Sequence, residues 1–273
     1  MAFAQWHEVF SQGKSIMLVQ SDYHIHASFY RIRQEGEELG PTVAEQQRSA
    51  RAQGSRYVGI VEHCNKDPRH PFHCLEELSA EYHSASFDRT DTWLGVEADL
   101  QDDGSDDCGA EGRAKLRLHY VIGSVHLNEN HPATVEGYVD MEFRRIRNAL
   151  LHNPNIDIIG HPFGSGNFYA RTGVIPQWHF GLVPREYLQE IVHLAVERRV
   201  ALEMNRCLTE DPAYIRFWED IRDAGALFEI GSDAHKTGAT FVIQTRTEFA
   251  QHLGLQEDRH WKPAMRDNRG GRP

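Results

Sequence analysis

Short apolar segments recur along the chain, and each is followed by a turn or by a stretch with the spacing of an amphipathic helix. The segments are rich in Val, Ile, Leu and aromatic residues, which is the pattern of buried β-strands. We predict seven strands, at residues 16–20, 57–61, 92–96, 119–124, 156–159, 200–204 and 227–230.

Helices are predicted between these strands. Thr42 and Glu45 have the spacing of a capping box, and so do Thr245 and Glu248 at the start of the last helix. The predicted helices cover residues 42–54, 134–151, 184–199, 211–225 and 245–254. Strands that alternate with helices form parallel βαβ units, which build a barrel or an open doubly wound sheet. No strand leads into a glycine-rich nucleotide-binding turn, so a barrel is favoured.

Length and composition fit one soluble domain. The chain has 273 residues, of which 40% are hydrophobic, and this is enough for one large core. We predict a single domain at residues 1–255 and a polar, disordered tail at residues 256–273. The four cysteines are scattered without a C-x-x-C pair, which indicates reduced thiols. The sequence shows neither a membrane-spanning apolar stretch nor a signal-peptide pattern, so we expect a cytoplasmic protein.

Charge and histidine content bear on function. The formal net charge is −11, which disfavours a long nucleic acid as partner, because binding one requires an excess of Lys and Arg along a face. The segment 99–111 holds many carboxylates but lacks the spacing of an EF-hand, and we predict a solvated acidic loop there. Histidine, with 17 residues, is more frequent than packing or solubility requires.

Two histidines lie two positions apart in the segment Asp22-Tyr23-His24-Ile25-His26. On an extended strand such side chains point the same way, so both imidazoles can bind one metal ion. Such a pair arises easily by chance. It becomes evidence for a metal site because each of the other strands also ends near a residue able to bind metal. These residues are Glu62, His63, Glu97, His126, His161, Glu203, Asn205, Asp233 and His235. In a parallel barrel the C-terminal ends of the strands meet on one face.

Through these blocks the chain resembles the PHP (polymerase and histidinol phosphatase) superfamily. The matching blocks are DYHIH, VEH, GVEAD, IGSVH, IIGHP, LEMN and GSDAH, which follow the family's order over nearly the whole chain. Their wording is most similar to that of the stand-alone histidinol-phosphatase-like branch. The resemblance implies a distorted seven-stranded (β/α)7 barrel and a metal-dependent phosphoric ester hydrolase.

The resemblance also implies the residues of the site. The implied metal ligands are His24, His26, His63, Glu97, His126, His161, Asp233 and His235. Glu203 and Asn205 would orient these ligands or shape the floor of the site, and Asp22 would also support a ligand, because metal-binding histidines need an acceptor behind them. Two or three divalent ions are expected, and the imidazole and carboxylate ligands suit Zn, Mn or Fe.

The ligands divide between three possible ions. The resemblance implies that the first ion would be bound by His24, His26, Glu97 and Asp233, and the second by Glu97, His126 and His161. A third ion would need His63, His235 and one more histidine shortly after His26, which the sequence lacks there. The third site is therefore either empty or completed from a loop, where His70 and His73 are the nearest candidates.

The implied reaction is the hydrolysis of a small phosphomonoester similar to histidinol phosphate. A hydroxide held between two metal ions would attack the phosphorus. Asp233 or His235 would protonate the leaving alkoxide. Arg33, Arg171 and Arg206 are candidates for holding the phosphate dianion.

Three alternatives stay open. A nuclease or nucleotide phosphoesterase would use the same metal centre, as some PHP proteins do. An amidohydrolase also opens with H-x-H, but it requires a strand-end lysine where this chain has Glu97. A non-catalytic metal-binding domain would have no need for open metal positions.

Overall fold

The computed structural model describes residues 18–27, 41–65, 72–84, 87–126 and 132–265. Within these ranges the strands form one parallel sheet whose order follows the chain. The strands are β1 (Ser21–His26), β2 (Tyr57–Val61), β3 (His63–Cys64), β4 (Thr92–Asp99), β5 (Tyr120–Ser124), β6 (Ile158–Ile159), β7 (Ala201–Met204) and β8 (Phe228–Ile230). Because β2 and β3 pair with successive parts of β4, these two short strands together count as one, and the sheet has seven strand positions.

The sheet closes between its first and last strands. Ile25 forms a parallel bridge with Ala234, which lies just after β8. The backbone N–H of His26 donates to the carbonyl of Ala234 at 2.9 Å, and the N–H of Asp233 donates to the carbonyl of His24 at 2.8 Å. The predicted seven-stranded parallel barrel is therefore confirmed.

Helices connect the strands, as predicted. They are α1 (Val43–Ala52), α2 (Phe72–Ser84), α3 (Gly109–Leu116), α4 (Val135–His152), α5 (Gly166–Arg171), α6 (Arg185–Arg198), α7 (Pro212–Ala224) and α8 (Val242–His252). The capping box of Thr42 and Glu45 is present at the start of α1. Asp211 caps α7, which ends at Gly225 with a φ of 66°. These capping residues and the glycine were therefore sufficient to predict the start of α1 and both ends of α7.

Two predicted boundaries were wrong. The first strand was expected at residues 16–20, but β1 covers Ser21–His26 and every residue in it is buried. Its polar residues hid it from a search for apolar runs, because they face the interior of the site. The last helix begins at Val242 and not at Thr245, because the 3₁₀ turn Ala239–Phe241 leads directly into it and no capping side chain is needed.

The segment after α8 is ordered as far as residue 265, which corrects the predicted disorder from residue 256 onward. Trp261 is 1% exposed, and its ring packs against those of Tyr23 at 5.3 Å and Tyr120 at 5.6 Å. The backbone N–H of Trp261 donates to the carbonyl of Phe228. One aromatic anchor thus docks a polar segment against the starts of the strands. Residues 266–273 lie outside the described part of the chain.

The acidic segment 99–111 is also more structured than predicted. Leu100 and Asp106 form an antiparallel bridge, and the carboxylate of Asp102 pairs with Arg144 and Arg145 on α4. The helix α3 begins inside the segment. Its carboxylates therefore join the loop to the outer helices.

None of the helices in the described ranges has the length and the apolar character needed to cross a membrane.

The main hydrophobic core lies between the sheet and its helices, and a smaller cluster with Tyr23, Tyr120 and Trp261 fills the start of the barrel. The assignment of residues 1–255 to a single domain stays a prediction.

Candidate metal centre

The histidines of β1 point into the mouth of the barrel. His24 and His26 are fully buried, and the alternation of the strand places both rings on the same side, with centroids 5.1 Å apart. The Nε2 atoms of the two rings lie 3.3 and 3.4 Å from Oε2 of Glu97, at the end of β4. They lie 3.7 and 3.4 Å from Oδ1 of Asp233, in the loop after β8. We call His24, His26, Glu97 and Asp233 the first group.

The first group fits a metal ion. A tetrahedral ion with bonds of about 2.0–2.1 Å separates its ligands by about 3.3 Å, which is close to the observed spacing of these donors. The Nε2 atoms of His24 and His26 and Oε2 of Glu97 are buried and make no hydrogen bond within the described residues. Buried polar atoms of this kind are costly unless a partner compensates them. A divalent cation would be such a partner for all of these atoms at once.

A second set of donors adjoins the first through Glu97. The donor atoms of His63, Glu97 and His126, which we call the second group, lie within reach of one ion. Nδ1 of His63 is 2.9 Å from Oε2 of Glu97, and Nε2 of His126 is 3.4 Å from Oε1. His161, predicted for this site, places Nε2 at 2.9 Å from the same Oε1. Glu97 thus belongs to both groups, and His63, which the resemblance assigned to a third ion, also lies in the second group.

The third group consists of His26, His63 and His235. Nε2 of His63 lies 3.3 Å from Nε2 of His235, and the rings of His26 and His235 stack at 4.0 Å. His26 therefore takes the place of the histidine that the sequence lacks. Its Nδ1 is already engaged by Glu62 at 3.2 Å, and its single remaining nitrogen also belongs to the first group. The third group thus has no independent ligand set; His70 and the side chain of His73 lie outside the described residues.

Carboxylates lie behind three of the histidines and contact their Nδ1 atoms. Oε1 of Glu203 lies 2.7 Å from Nδ1 of His24, the position of an acceptor that orients this imidazole. Glu62 has the same position behind His26, and Asp99 lies 2.6 Å from Nδ1 of His126. Contacts at Nδ1 leave Nε2 directed into the site.

Sequence reasoning missed Glu62 and Asp99 in this role. Asp99 lies two positions after Glu97 on β4, and the period of two could have assigned it to the same face of the strand. Glu62 directly precedes His63 in the block VEH, but the block alone does not reveal that its carboxylate turns toward β1.

The other two predicted supporting residues, Asp22 and Asn205, are also buried near the site. The carboxylate of Asp22 accepts from the backbone N–H groups of His24 at 3.2 Å and Ser232 at 2.9 Å, and so joins β1 to the loop after β8. It contacts the backbone, whereas the prediction placed it behind a ligand side chain. Asn205 is buried and lines a small cavity beside His161.

Glycine is required at two positions in the motifs GHP and GSDAH, because side chains of neighbouring strands approach the backbone there closely. A Cβ atom on Gly160 would overlap the hydroxyl of Ser124. One on Gly231 would overlap the carboxylate of Glu203 and approach His24. The glycines of GHP and GSDAH thus allow the strand ends to pack closely enough to bring their ligands together.

The ligands and their carboxylates shift one another's protonation. Burial alone would lower the pKa of His24, but Glu203 and Glu97 raise it well above its ordinary value. Asp99 and Glu97 raise the pKa of His126 to about 9 against the same effect of burial. Burial alone would raise the pKa of Glu97, but His24 and His126 hold it well below its ordinary value. The centre therefore requires positive charge, which protons or a divalent cation can supply.

Asp233 and His235 lie at the open side of the centre. Their side chains are 33% and 24% exposed, whereas those of His24 and His26 are fully buried. Burial and the neighbouring His26 lower the pKa of His235 to about 3. Both residues lie where a substrate could reach them from solvent.

The three candidate arginines have different positions. Arg206, after β7, lines a cavity of about 10 Å³, room for about one water, together with His161, Asn167 and Trp178. Arg171 is exposed and places its guanidinium over the ring of Phe168 at 5.7 Å. Arg33 lies outside the described residues.

Comparisons with known proteins bear on the fold. Searches against protein-family models and against curated proteins gave no match. Among solved structures the chain is similar to histidinol phosphate phosphatase from Lactococcus lactis subsp. lactis Il1403, complexed with zinc, L-histidinol and phosphate. The TM-score is 0.56 at 18% sequence identity, over 88% of this chain and 95% of that one. The chain therefore has the PHP-type seven-stranded barrel fold predicted from its motifs, the fold that this histidinol phosphate phosphatase also has.

Proposed function

We propose that this protein is a metal-dependent phosphoesterase that hydrolyses a small phosphomonoester. The observation that carries the proposal is the convergence of two donor groups on the shared carboxylate of Glu97. A shared carboxylate is typical of two-metal sites, which clamp the entering and leaving oxygens of a displacement.

Each proposed ion is assigned to one of the donor groups. One divalent ion would be held by the first group and another by the second group with His161 beside it, and Zn, Mn and Fe all suit these ligands. When bound, the ions supply positive charge that neutralises the phosphoryl oxygens and make water a nucleophile near neutral pH. The third group has no independent ligand set among the described residues, so we propose two ions.

Residues of the chain supply the other parts of the reaction. Glu203, Glu62 and Asp99 keep the imidazoles oriented, so the ligands need no rearrangement during the reaction. His235 is one candidate donor of the leaving-group proton, because it lies at the open side of the site. Asp233 is the other candidate, although the first group also requires it.

Arg206 is the favoured contact for the phosphate. It is partly buried, follows β7 directly, and lines the cavity that His161 also lines. Arg171 is exposed and already lies over an aromatic ring. A cation held beside the metal centre can position a phosphate dianion more firmly than a surface arginine.

The structural neighbour supports the choice of the first substrate to test. The similar phosphatase was crystallised with L-histidinol and phosphate, so L-histidinol phosphate is the first compound to test. Cleavage of nucleotides or of a labelled single strand is the alternative within the same chemistry. An amidohydrolase is disfavoured because a glutamate, Glu97, lies between the two donor groups.

The test combines metal analysis with phosphate release. Protein purified without chelator is expected to contain two divalent ions per chain and to release phosphate from members of a phosphomonoester panel. His126→Ala is expected to abolish release, while His193→Ala, at an exposed histidine on α6, should leave it unchanged. Failure of the metal-loaded protein to release phosphate from any compound would refute the proposal, and cleavage only of the labelled strand would favour a nuclease.

A further inference from the structure

The loop after β6 holds His161 in an unusual backbone conformation. His161 has a φ of 30° and Phe163 a φ of 57°, and both values lie in the left-handed region that residues with a Cβ rarely adopt. Such a conformation persists only where surrounding contacts over-determine it. The contacts that hold this turn therefore decide where the imidazole of His161 lies.

Two buried carboxylates receive the amide groups of this turn. The N–H of His161 donates to Oε2 of Glu203 at 2.6 Å. The N–H of Phe163 donates to Oε1 of Glu142 at 2.5 Å. Between them the N–H of Gly164 donates to the carbonyl of His161 at 2.6 Å. The turn is thus clamped from β7 on one side and from α4 on the other.

Glu142 has no role in the metal chemistry described so far. It is 1% exposed on the inner face of α4, beside the phenol ring of Tyr138. A buried carboxylate in an apolar helix interface is costly unless a specific hydrogen bond compensates it. An apolar residue would pack there without that cost, so the carboxylate requires an explanation.

We propose that Glu142 is a positioning residue of the metal centre. By accepting the N–H of Phe163 it fixes the turn, and the turn keeps Nε2 of His161 at 2.9 Å from Oε1 of Glu97. The inference rests on the proposed function, because the position of His161 matters only if a metal ion binds beside Glu97. Glu142 acts through His161, which lies beside the second group.

The experiment is a calorimetric titration of Zn²⁺ into the chelator-stripped full chain. Asp233→Ala removes a ligand of the first group only, and His126→Ala removes one of the second group only, so the two variants assign the two binding steps. Glu142→Met removes the acceptor while keeping the length of the side chain. Glu136→Met, at an exposed position on the same helix, is the matched control.

For Glu142→Met we expect the dissociation constant of the second step to rise at least about ten-fold, with the first step unchanged. Glu136→Met should bind both ions as the wild type does. Unchanged constants in Glu142→Met would overturn the proposal, and so would an equal weakening of both steps, which indicates a general loss of stability.

Glu142→Gln keeps a weaker acceptor in place and should raise the second constant by only about three-fold. If the Met variant does not fold, the Gln variant decides: a selective rise supports the proposal and an unchanged constant overturns it. Wild-type protein that binds no Zn²⁺ would overturn the proposed metal centre together with this inference. Wild-type binding of two ions with unaffected Glu142 variants would overturn this inference alone.

Discussion

Glu203 contacts two histidines of the candidate metal centre, His24 and His161. Its replacement by glutamine therefore gives a quantitative test of the proposed arrangement. One carboxylate oxygen faces Nδ1 of His24, and the other accepts the backbone N–H of His161. A glutamine has only one acceptor oxygen, and its amide nitrogen can donate but not accept. Glu203→Gln therefore loses one of the two contacts while the volume of the side chain is kept.

The size of the effect follows from the type of bond that is lost. A hydrogen bond to a charged group contributes about 1.5–3 kcal/mol, and about 1.4 kcal/mol corresponds to a factor of ten. The lost contact should therefore raise the dissociation constant of at least one ion by about 10- to 150-fold. This agrees with the effect of about 10- to 100-fold that is usual when the acceptor behind a metal ligand is removed.

The assay is a Zn²⁺ titration of the metal-free protein, followed by elemental analysis after dialysis. Glu190→Gln is the control, because it makes the same chemical change at an exposed ion pair on α6. It should bind both ions as the wild type does. If Glu203→Gln folds normally and both constants stay within about two-fold of the wild type, the assignment of Glu203 as a support of the ligands is refuted.

Three further predictions concern packing and pH. Gly231→Ala should lose metal binding, because its Cβ would overlap Glu203; normal metal content in the purified variant would contradict this. Trp261→Ala should lower the free energy of unfolding by about 3–5 kcal/mol in urea titrations, whereas a disordered tail would give no change. Burial alone would raise the pKa of Glu257, but His260, Lys262 and the N–H of Val19 lower it to about 2. The stability it provides is therefore present above pH 4.5, its reference pKa, and lost as pH falls toward 2; Glu257→Gln should flatten acid denaturation curves in that window.

The gathering of strand-end histidines and carboxylates could be predicted from sequence because a parallel barrel brings successive strand ends to one face. The assignment of His63 and His26 to particular groups could not, because it depends on ring positions a few ångströms apart. Glu142 could not be found at all, since it lies on a helix and meets the site only through the tertiary fold.

In the C-terminal segment from residue 256 to residue 265, sequence reasoning predicted less structure than the chain has. Its polar composition predicted disorder, but composition averages over the single tryptophan that anchors it. One large buried ring can outweigh many solvated neighbours, because aromatic side chains bury more apolar surface than any other.

The seam that closes the barrel runs through the metal centre. The backbone bonds that join β1 to the loop after β8 involve His24, His26 and Asp233, and the side chains of these same residues make up most of the first group. A metal ion bound there would be a cross-link between the first and last strands. Removal of the ion should therefore speed amide hydrogen exchange at His26 and Asp233 before it affects the rest of the sheet, and the barrel would open first at the proposed metal centre.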